Sequence, residues 1–212
     1  MKPIHPNHGI IVGITGGIAC GKSTVAQLLA EKGAIAINSD VLGHQLLKRG
    51  SPVMDELIDA FGCGILDEFG DVSRQKLGAI VFSDKSAREQ LNAIMHPPIV
   101  QQSRSEAKRL VTNNPDCVVL IDAPLLIEAG SQDTVDIIIV VTASADMQLQ
   151  RQLDRSIAQN RSLSREEAQA RIDSQMPLSE KVTYADFVVE NNSTIKELHQ
   201  KVNQLWANLQ NM

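Results

Sequence analysis

Residues Gly16–Ser23 have the types and the spacing of a phosphate-binding loop. They read Gly-Gly-Ile-Ala-Cys-Gly-Lys-Ser, which matches G-x-x-x-x-G-K-[ST], and they stand between an aliphatic run and an amphipathic segment. In such a loop backbone N–H groups converge on phosphate oxygens, while the lysine reaches the outer phosphates and the hydroxyl binds magnesium. The sequence therefore predicts a site for ATP and Mg²⁺ formed by Gly16, Gly17, Ile18, Ala19, Cys20, Gly21, Lys22, Ser23 and Thr24.

Two aspartates follow apolar runs where an open parallel sheet places its ligands. Asp122 ends the run Val118–Ile121, at the carboxyl edge of a predicted strand, and Asp40 follows a second, shorter run. We predict that Asp122 holds magnesium through water and that Asp40 orients or deprotonates an acceptor hydroxyl. A helix cap or a solvated loop acid is the alternative for each aspartate.

Cys20 lies beside Lys22 and the amino end of the predicted helix. These surroundings lower the pKa of a thiol, so we hypothesise that alkylation or oxidation of Cys20 blocks ATP binding. The alternative is a small side chain that the loop shields, because reactivity also requires exposure.

Five short aliphatic runs indicate the strands that carry these residues. Four of them have almost no polar alternation, which is typical of parallel strands covered on both faces. The pattern predicts an α/β, doubly wound fold. The runs are Ile10–Ile14, Ala34–Ile37, Cys117–Ile121, Asp136–Val141 and Ala185–Val189.

Helical periodicity fills the intervals between these runs. The long interval after the second run contains four such segments, namely Ser51–Phe61, Ser73–Phe82, Asp84–Met95 and Pro97–Val111, with Pro97 in a first helical turn. Ala145–Tyr184 is polar, helical in period and punctuated by arginines. A last helix begins at Thr194 and places on one face Leu198, Val202, Leu205 and Leu209.

We interpret residues 1–212 as a single domain. Its predicted core comprises residues 8–40, 115–145 and 184–212. Residues 41–114 are predicted to form a helical substrate-binding insertion, and residues 146–183 a mobile lid.

The composition narrows the class of partner. The chain has 212 residues, a formal net charge of -5 and no basic run that could follow a nucleic-acid backbone. Its three cysteines never form C-x-x-C, and the first nine residues lack an apolar signal core. We expect a globular protein of the cytoplasm that is neither exported nor inserted in a membrane, with no nucleic-acid partner and no obligate protein partner evident.

The residues themselves predict an ATP-dependent kinase of a small molecule, working by direct in-line transfer. Two alternatives remain open on this reasoning. The first is a kinase of another acceptor, such as a nucleoside monophosphate or shikimate. The second is a regulatory module that binds ATP and phosphorylates nothing. A GTP-driven switch is disfavoured because the chain has no N-K-x-D.

Along nearly its whole length the chain resembles the dephospho-coenzyme A kinase family. The segments that carry the resemblance are Ile14-Thr15-Gly16-Gly17-Ile18, Arg74-Gln75-Lys76-Leu77, Leu91-Asn92-Ala93-Ile94-Met95-His96-Pro97, Pro124-Leu125-Leu126-Ile127-Glu128 and Arg171-Ile172-Asp173-Ser174-Gln175-Met176-Pro177. The resemblance implies a P-loop NTPase-type three-layer fold with a five-stranded parallel sheet. It also implies phosphorylation of the ribose 3'-hydroxyl of dephospho-coenzyme A, the step that completes coenzyme A synthesis.

The resemblance further implies roles for individual residues. Catalysis would fall to Asp40, Lys22, Arg151 and Arg155, the two arginines being the family's spaced lid arginines. The coenzyme precursor would be bound by Asp40, His44, Arg74, His96, Pro124 and Leu125. The adenine of ATP would lie near Asn191, in the loop Glu190-Asn191-Asn192.

Four positions depart from the family's pattern. The chain has Asn38-Ser39-Asp40 where Asp-x-Asp is frequent, which leaves Asp40 as the only acid there. His44 stands where an arginine is frequent, and its charge would vary near neutral pH. Ala19-Cys20 replaces Gly-Ser, a tolerable change because the backbone does the cradling. Ser156–Ser164 is longer than usual, so Arg155 and Arg161 both remain candidates for contacting the phosphates.

Overall fold

A computed structural model describes residues 9–160 and 162–212 of the chain. They form two compact units. The first combines the described residues up to Ile37 with Ala107–Met212, and the second comprises Asn38–Glu106. Residues 146–183 therefore belong to the same compact unit as the loop and most of the sheet.

A five-stranded parallel sheet organises the first unit, in the order β2-β3-β1-β4-β5. All five predicted strands are confirmed, with ends displaced by at most two residues. The strands are β1 (Ile10–Gly16), β2 (Ile35–Asn38), β3 (Val118–Asp122), β4 (Ile137–Thr142) and β5 (Phe187–Glu190).

The central strand β1 has its neighbours on either side from later parts of the chain. Ile14 of β1 is in register with Asp122 of β3 and with Ile139 of β4. The chain therefore crosses over β1 between β3 and β4, and the carboxyl end of β1 lies at the point where an open parallel sheet binds ligands.

Burial explains why the sequences of the three central strands do not alternate; the edge strands β2 and β5 each leave residues exposed, so coverage of both faces does not extend to a fourth strand. Every residue of β1 and of β3 is buried. Successive side chains of a strand point to opposite faces, so both faces of these strands are covered. Helices α1 (Lys22–Glu31) and α9 (Ile195–Gln210) pack against this sheet and against each other.

The last helix confirms its sequence pattern. The Thr194 hydroxyl accepts the backbone N–H of Glu197 and caps α9. The buried residues of α9 are the four predicted ones, Leu198, Val202, Leu205 and Leu209. Between β4 and β5 the described chain forms α6 (Ala145–Ala158), α7 (Arg165–Asp173) and α8 (Leu178–Val182), so the predicted helical period is confirmed there as well.

The second unit has an apolar core of its own. Its helices are α2 (Ser39–Leu46), α3 (Met54–Phe61), α4 (Arg74–Ser83) and the amino-terminal part of α5 (Lys85–Asn113). The buried residues of this core are Leu46, Val53, Leu57, Ile65, Val72, Leu77 and Met95.

The prediction of two helices divided before Pro97 is wrong, because α5 runs unbroken through Pro97 and Pro98. Each proline lacks the N–H that would donate to the carbonyl four residues earlier, which normally breaks a helix. Here Met95 is buried in the core of the second unit, and Ile94 and Ile99 pack against it on either side of the prolines. Tertiary packing thus overrides the local signal. Among the described residues, no helix is both long and apolar enough to cross a membrane.

Candidate active site

The predicted phosphate-binding loop connects β1 to α1 at the carboxyl edge of the sheet. A Cβ at Gly16 would collide with the carbonyl oxygen of Val141 in β4, so only glycine lets the two strands approach here. Ala19 and Gly21 have φ angles of 59° and 88°, and the N–H of Cys20 donates to the Gly17 carbonyl at 3.2 Å. The backbone is therefore wound tightly between strand and helix.

The first turn of α1 presents donors suited to an anion. The first N–H groups of a helix have no intrahelical partner, and the helix dipole adds partial positive charge at the same end. Lys22 is the first residue of α1, and Ser23 and Thr24 follow as exposed side chains. Phosphate oxygens match this arrangement.

Lys22 forms an ion pair with Asp122. The Nζ of Lys22 donates to Oδ1 of Asp122, and the two side chains are only 12% and 8% exposed. Asp122 ends β3 beside β1, which brings its carboxylate to the base of the loop. The sequence predicted both residues at this edge, while the pairing itself comes from the sheet order.

Asn191 ties the loop to the end of β5. Its Nδ2 donates to the Cys20 carbonyl at 2.9 Å, and its own N–H donates to the Thr142 carbonyl at 2.8 Å. Asn191 is 7% exposed, and its Nδ2 fills the space that a Cβ at Gly21 would occupy. Asn191, for which the resemblance implied a place near adenine, thus holds the loop at the carbonyl of Cys20.

The side chain of Arg151 binds two backbone carbonyls, one in the loop and one at Asn191. Its guanidinium donates to the Ala19 carbonyl at 3.4 Å and to the Asn191 carbonyl at 3.0 Å. Two glutamines contact the adjacent residue Ile18: Nε2 of Gln148 donates to its carbonyl at 2.7 Å, and Oε1 of Gln175 accepts its N–H at 3.1 Å.

Arg155 lies one helical turn after Arg151 and is exposed. It lines a cavity of about 600 Å³ together with Gln152, Ser156, Gln159, Leu163 and Arg171. The other candidate arginine, Arg161, lies outside the described residues.

The segment after β3 is fixed through the carbonyl of Pro124. That oxygen accepts both the Thr15 hydroxyl of β1 and the Nζ of Lys181 in α8, each at 2.9 Å. Lys181 is fully buried, and its Nζ lies 2.8 Å from Oε1 of Glu128. Pro124 and its neighbour Leu125 are half-buried. A buried ammonium thus anchors Pro124, one of the two residues here that the resemblance assigned to the substrate.

In the second unit, Asp40 and His44 share an exposed face of α2. Both side chains are exposed, and their spacing of one helical turn places them on the same side. Asn38, which replaces a frequent aspartate, accepts the N–H groups of Asp40 and Val41 at 2.9 and 3.1 Å and so caps the helix. An amide oxygen can do this without adding a second negative charge.

The two remaining predicted substrate residues also lie in the second unit. Arg74 is the first residue of α4 and is exposed, which suits a contact with an anionic ligand. His96 is half-buried in α5, one residue before Pro97.

Our hypothesis of a reactive Cys20 thiol is wrong in its physical basis. The side chain is fully buried, and this burial raises the pKa of the Cys20 thiol. Hydrogen bonds from the backbone of Gly17 and Ala143, and the charges of Arg151 and Lys181, lower that pKa by less. The alternative of a shielded small side chain is the one that the structure supports.

Sequence reasoning missed several residues that shape the site. Gln175 and Glu128 stood in segments that carried the family resemblance, but nothing in their types pointed to a role. Gln148 and Lys181 were unremarkable polar residues in a polar stretch. Only their burial, at 4% and 0% exposure, singles them out.

Comparisons with known proteins agree with this geometry. The family model described as dephospho-CoA kinase matches residues 10–197. A dephospho-CoA kinase of Bacillus cereus is 38% identical over 94% of this chain and 96% of its own. A crystal structure of a Thermus thermophilus protein covers 95% of this chain and 98% of its own, at 33% identity and a TM-score of 0.75. The dephospho-CoA kinase structure from Campylobacter jejuni has 27% identity, the same two coverages and a TM-score of 0.71.

Proposed function

The chain belongs to the dephospho-CoA kinase family, and on that premise we propose that it transfers a phosphoryl group from ATP to the ribose 3'-hydroxyl of dephospho-CoA. The product is coenzyme A, and the reaction is the final step of its biosynthesis. The observation that carries the proposal is the phosphate-binding loop, with Lys22 held beside Asp122, within a chain that matches this family along most of its length.

The loop and the first turn of α1 bind the phosphates of ATP in this proposal. Backbone N–H groups at the start of α1 face the phosphate oxygens, and Lys22 moves its ammonium from Asp122 to the outer phosphates. Because Lys22 is only 12% exposed, water screens its charge little. The adenine lies near Asn191.

Ser23 and Asp122 are the residues that would hold Mg²⁺. A hydroxyl and a carboxylate are oxygen donors of the kind that magnesium prefers, and magnesium commonly takes few protein ligands besides substrate phosphates. The ion, when bound, neutralises charge on the transferred group. The Asp122 side chain is only 8% exposed, and the departure of Lys22 would leave its carboxylate without a cation.

Asp40 is the proposed base for the acceptor hydroxyl. Its carboxylate is exposed in the first turn of α2. His44 on the same face, with Arg74 and His96 of the same unit and Pro124 and Leu125 after β3, is proposed to bind dephospho-CoA. A mobile lid formed by residues 146–183, carrying Arg151 and Arg155, excludes water during transfer.

The test of this function is product identity. Purified protein is incubated with Mg-ATP and, separately, with dephospho-CoA, adenosine, AMP or shikimate, and ADP release and product mass are measured. We expect turnover with dephospho-CoA alone. Turnover with another acceptor would refute the substrate, and ATP binding without any transfer would support the regulatory module instead.

Two variants test the residue roles. We expect Lys22→Ala and Asp40→Asn to remain folded and to lose at least about a hundredfold in kcat. Lys196→Ala, a lysine in the first turn of α9, and Asp55→Asn, an exposed acid in the first turn of α3, are matched controls that should retain activity. Near-native turnover by Asp40→Asn would remove Asp40 as the base.

A further inference from the structure

Ile18 of the phosphate-binding loop is held at both of its backbone polar groups by glutamine side chains. Nε2 of Gln148, from α6, donates to the Ile18 carbonyl at 2.7 Å. Oε1 of Gln175, from the segment between α7 and α8, accepts the Ile18 N–H at 3.1 Å. Gln148 is 4% exposed and Gln175 is half-buried, so water competes little for these bonds, least of all at Gln148.

The next two carbonyls of the loop are bound in the same manner. Arg151 donates to the Ala19 carbonyl and Asn191 to the Cys20 carbonyl, at 3.4 and 2.9 Å. Three successive carbonyls therefore accept from side chains outside the loop. Each of these bonds restricts rotation of a peptide unit, and the N–H of a peptide unit points opposite to its carbonyl.

These contacts have a direct consequence for anion binding. A loop that cradles phosphate must turn its N–H groups inward, and its carbonyls then point outward and need donors of their own. Ala19 holds a left-handed conformation at φ 59°, which is unfavourable for alanine unless the surroundings impose it. The side chains of Gln148, Arg151 and Asn191, which bind the carbonyls of residues 18–20, can supply that constraint.

We propose that Gln148 and Gln175 are positioning residues that fix Ile18 and thereby preset the loop for the phosphates of ATP. The proposal rests on the proposed function only in that the loop binds ATP. It also assigns the Ile18 N–H to Gln175 and removes it from the set of phosphate donors. Gln148 and Gln175 both lie in the segment between β4 and β5. A displacement of that segment would therefore break the two hydrogen bonds that fix the backbone of Ile18.

Two isosteric variants with the same added charge separate positioning from simple electrostatics. In Gln148→Glu the ionised carboxylate cannot donate to the Ile18 carbonyl, whereas in Gln175→Glu it still accepts the Ile18 N–H. At a pH where both are ionised, each places a negative charge beside the loop; Gln148→Met, which can neither donate nor ionise, covers the case of a buried carboxyl that stays protonated. Gln150→Glu, on the exposed side of α6, is the control for added charge away from the loop; it also removes a 2.8 Å surface bond from Nε2 to Asp154.

The measurements are the dissociation constant of ATP and the amide hydrogen exchange of residues 17–21 in protein without nucleotide. We expect Gln148→Glu to weaken ATP binding about tenfold or more and to speed exchange in the loop. Gln175→Glu should stay within about threefold of the parent protein, and Gln175→Met, which replaces the amide oxygen by a much weaker acceptor, should weaken binding about fivefold. Gln150→Glu should change neither quantity.

Equal weakening by Gln148→Glu and Gln175→Glu, or unchanged loop exchange in Gln148→Glu, would overturn the proposal. If Gln148→Glu does not fold, Gln175→Met provides the test, because Gln175 is only half-buried and its replacement should be tolerated. Unchanged ATP binding and unchanged loop exchange in Gln175→Met would also overturn the proposal. Neither measurement uses dephospho-CoA. Parent protein that binds ATP but does not phosphorylate dephospho-CoA would therefore refute the proposed function and leave this test valid.

Discussion

Replacement of Gly21 by alanine probes how closely the loop depends on its tertiary surroundings. Gly21 has φ 88°, and the Nδ2 of Asn191 occupies the position where the new Cβ would go. The substitution therefore imposes both a backbone penalty and a collision. Gly50 offers a matched control, because its φ is 81° and no heavy atom lies within 4 Å of an added Cβ.

The two contributions can be separated in magnitude. A left-handed alanine costs about 1–2 kcal/mol, which is the whole effect expected for Gly50→Ala. At Gly21 the collision also displaces Asn191 and breaks its 2.9 Å bond to the Cys20 carbonyl. A buried carbonyl left without a donor costs about 1–3 kcal/mol, so Gly21→Ala should lower the free energy of unfolding by about 2–5 kcal/mol.

Urea unfolding of four proteins tests this reasoning: the parent, Gly21→Ala, Asn191→Ala and the double variant. With the Asn191 side chain removed, Gly21→Ala should lose only the backbone term, which leaves a coupling free energy of about 1–3 kcal/mol. ATP affinity should fall in Gly21→Ala and stay unchanged in Gly50→Ala. If Gly21→Ala lowers stability equally with and without the Asn191 side chain, the collision is not the cause.

Four further outcomes follow from burial, charge pairing and backbone geometry. Ala19→Gly should raise the free energy of unfolding by up to about 1 kcal/mol, since it relieves the φ of 59°; a loss in urea unfolding would contradict this. Lys181→Met should lower that free energy by about 3–5 kcal/mol, because it leaves the carboxylate of Glu128 without its cation. A double variant with Glu128→Gln should recover part of the lost stability; no recovery would show that the two side chains are not coupled. Iodoacetamide should modify exposed Cys63 in the folded protein but spare buried Cys20, with or without Mg-ATP, as mass spectrometry would reveal. Burial raises the pKa of the Cys20 thiol above its ordinary value of 9.0. The neutral thiol's contribution to the free energy of unfolding is therefore present below pH 9.0 and is lost as the pH rises through the higher pKa of the folded protein. Cys20→Ala should reduce this loss in urea titrations at several pH values.

Local patterns were enough to predict the framework of this protein. The strands followed from apolar runs without alternation, and α9 from a cap at Thr194 and leucines at helical spacing. Asp122 could be assigned to the sheet edge because it ends such a run. The prediction failed at Pro97, where a local helix signal was outweighed by the packing of residues that precede and follow it.

What the sequence by itself determined is the five strands, the last helix and the phosphate-binding loop, since each depends on residues that are close together along the chain. The tertiary structure alone decided which side chains surround that loop. Gln148 and Gln175 are separated from Ile18 by 130 and 157 residues along the chain, and Asn191 from Cys20 by 171. The burial that raises the pKa of the Cys20 thiol comes from the same packing. Such contacts depend on which strands become neighbours in the sheet, and no local pattern records the order β2-β3-β1-β4-β5.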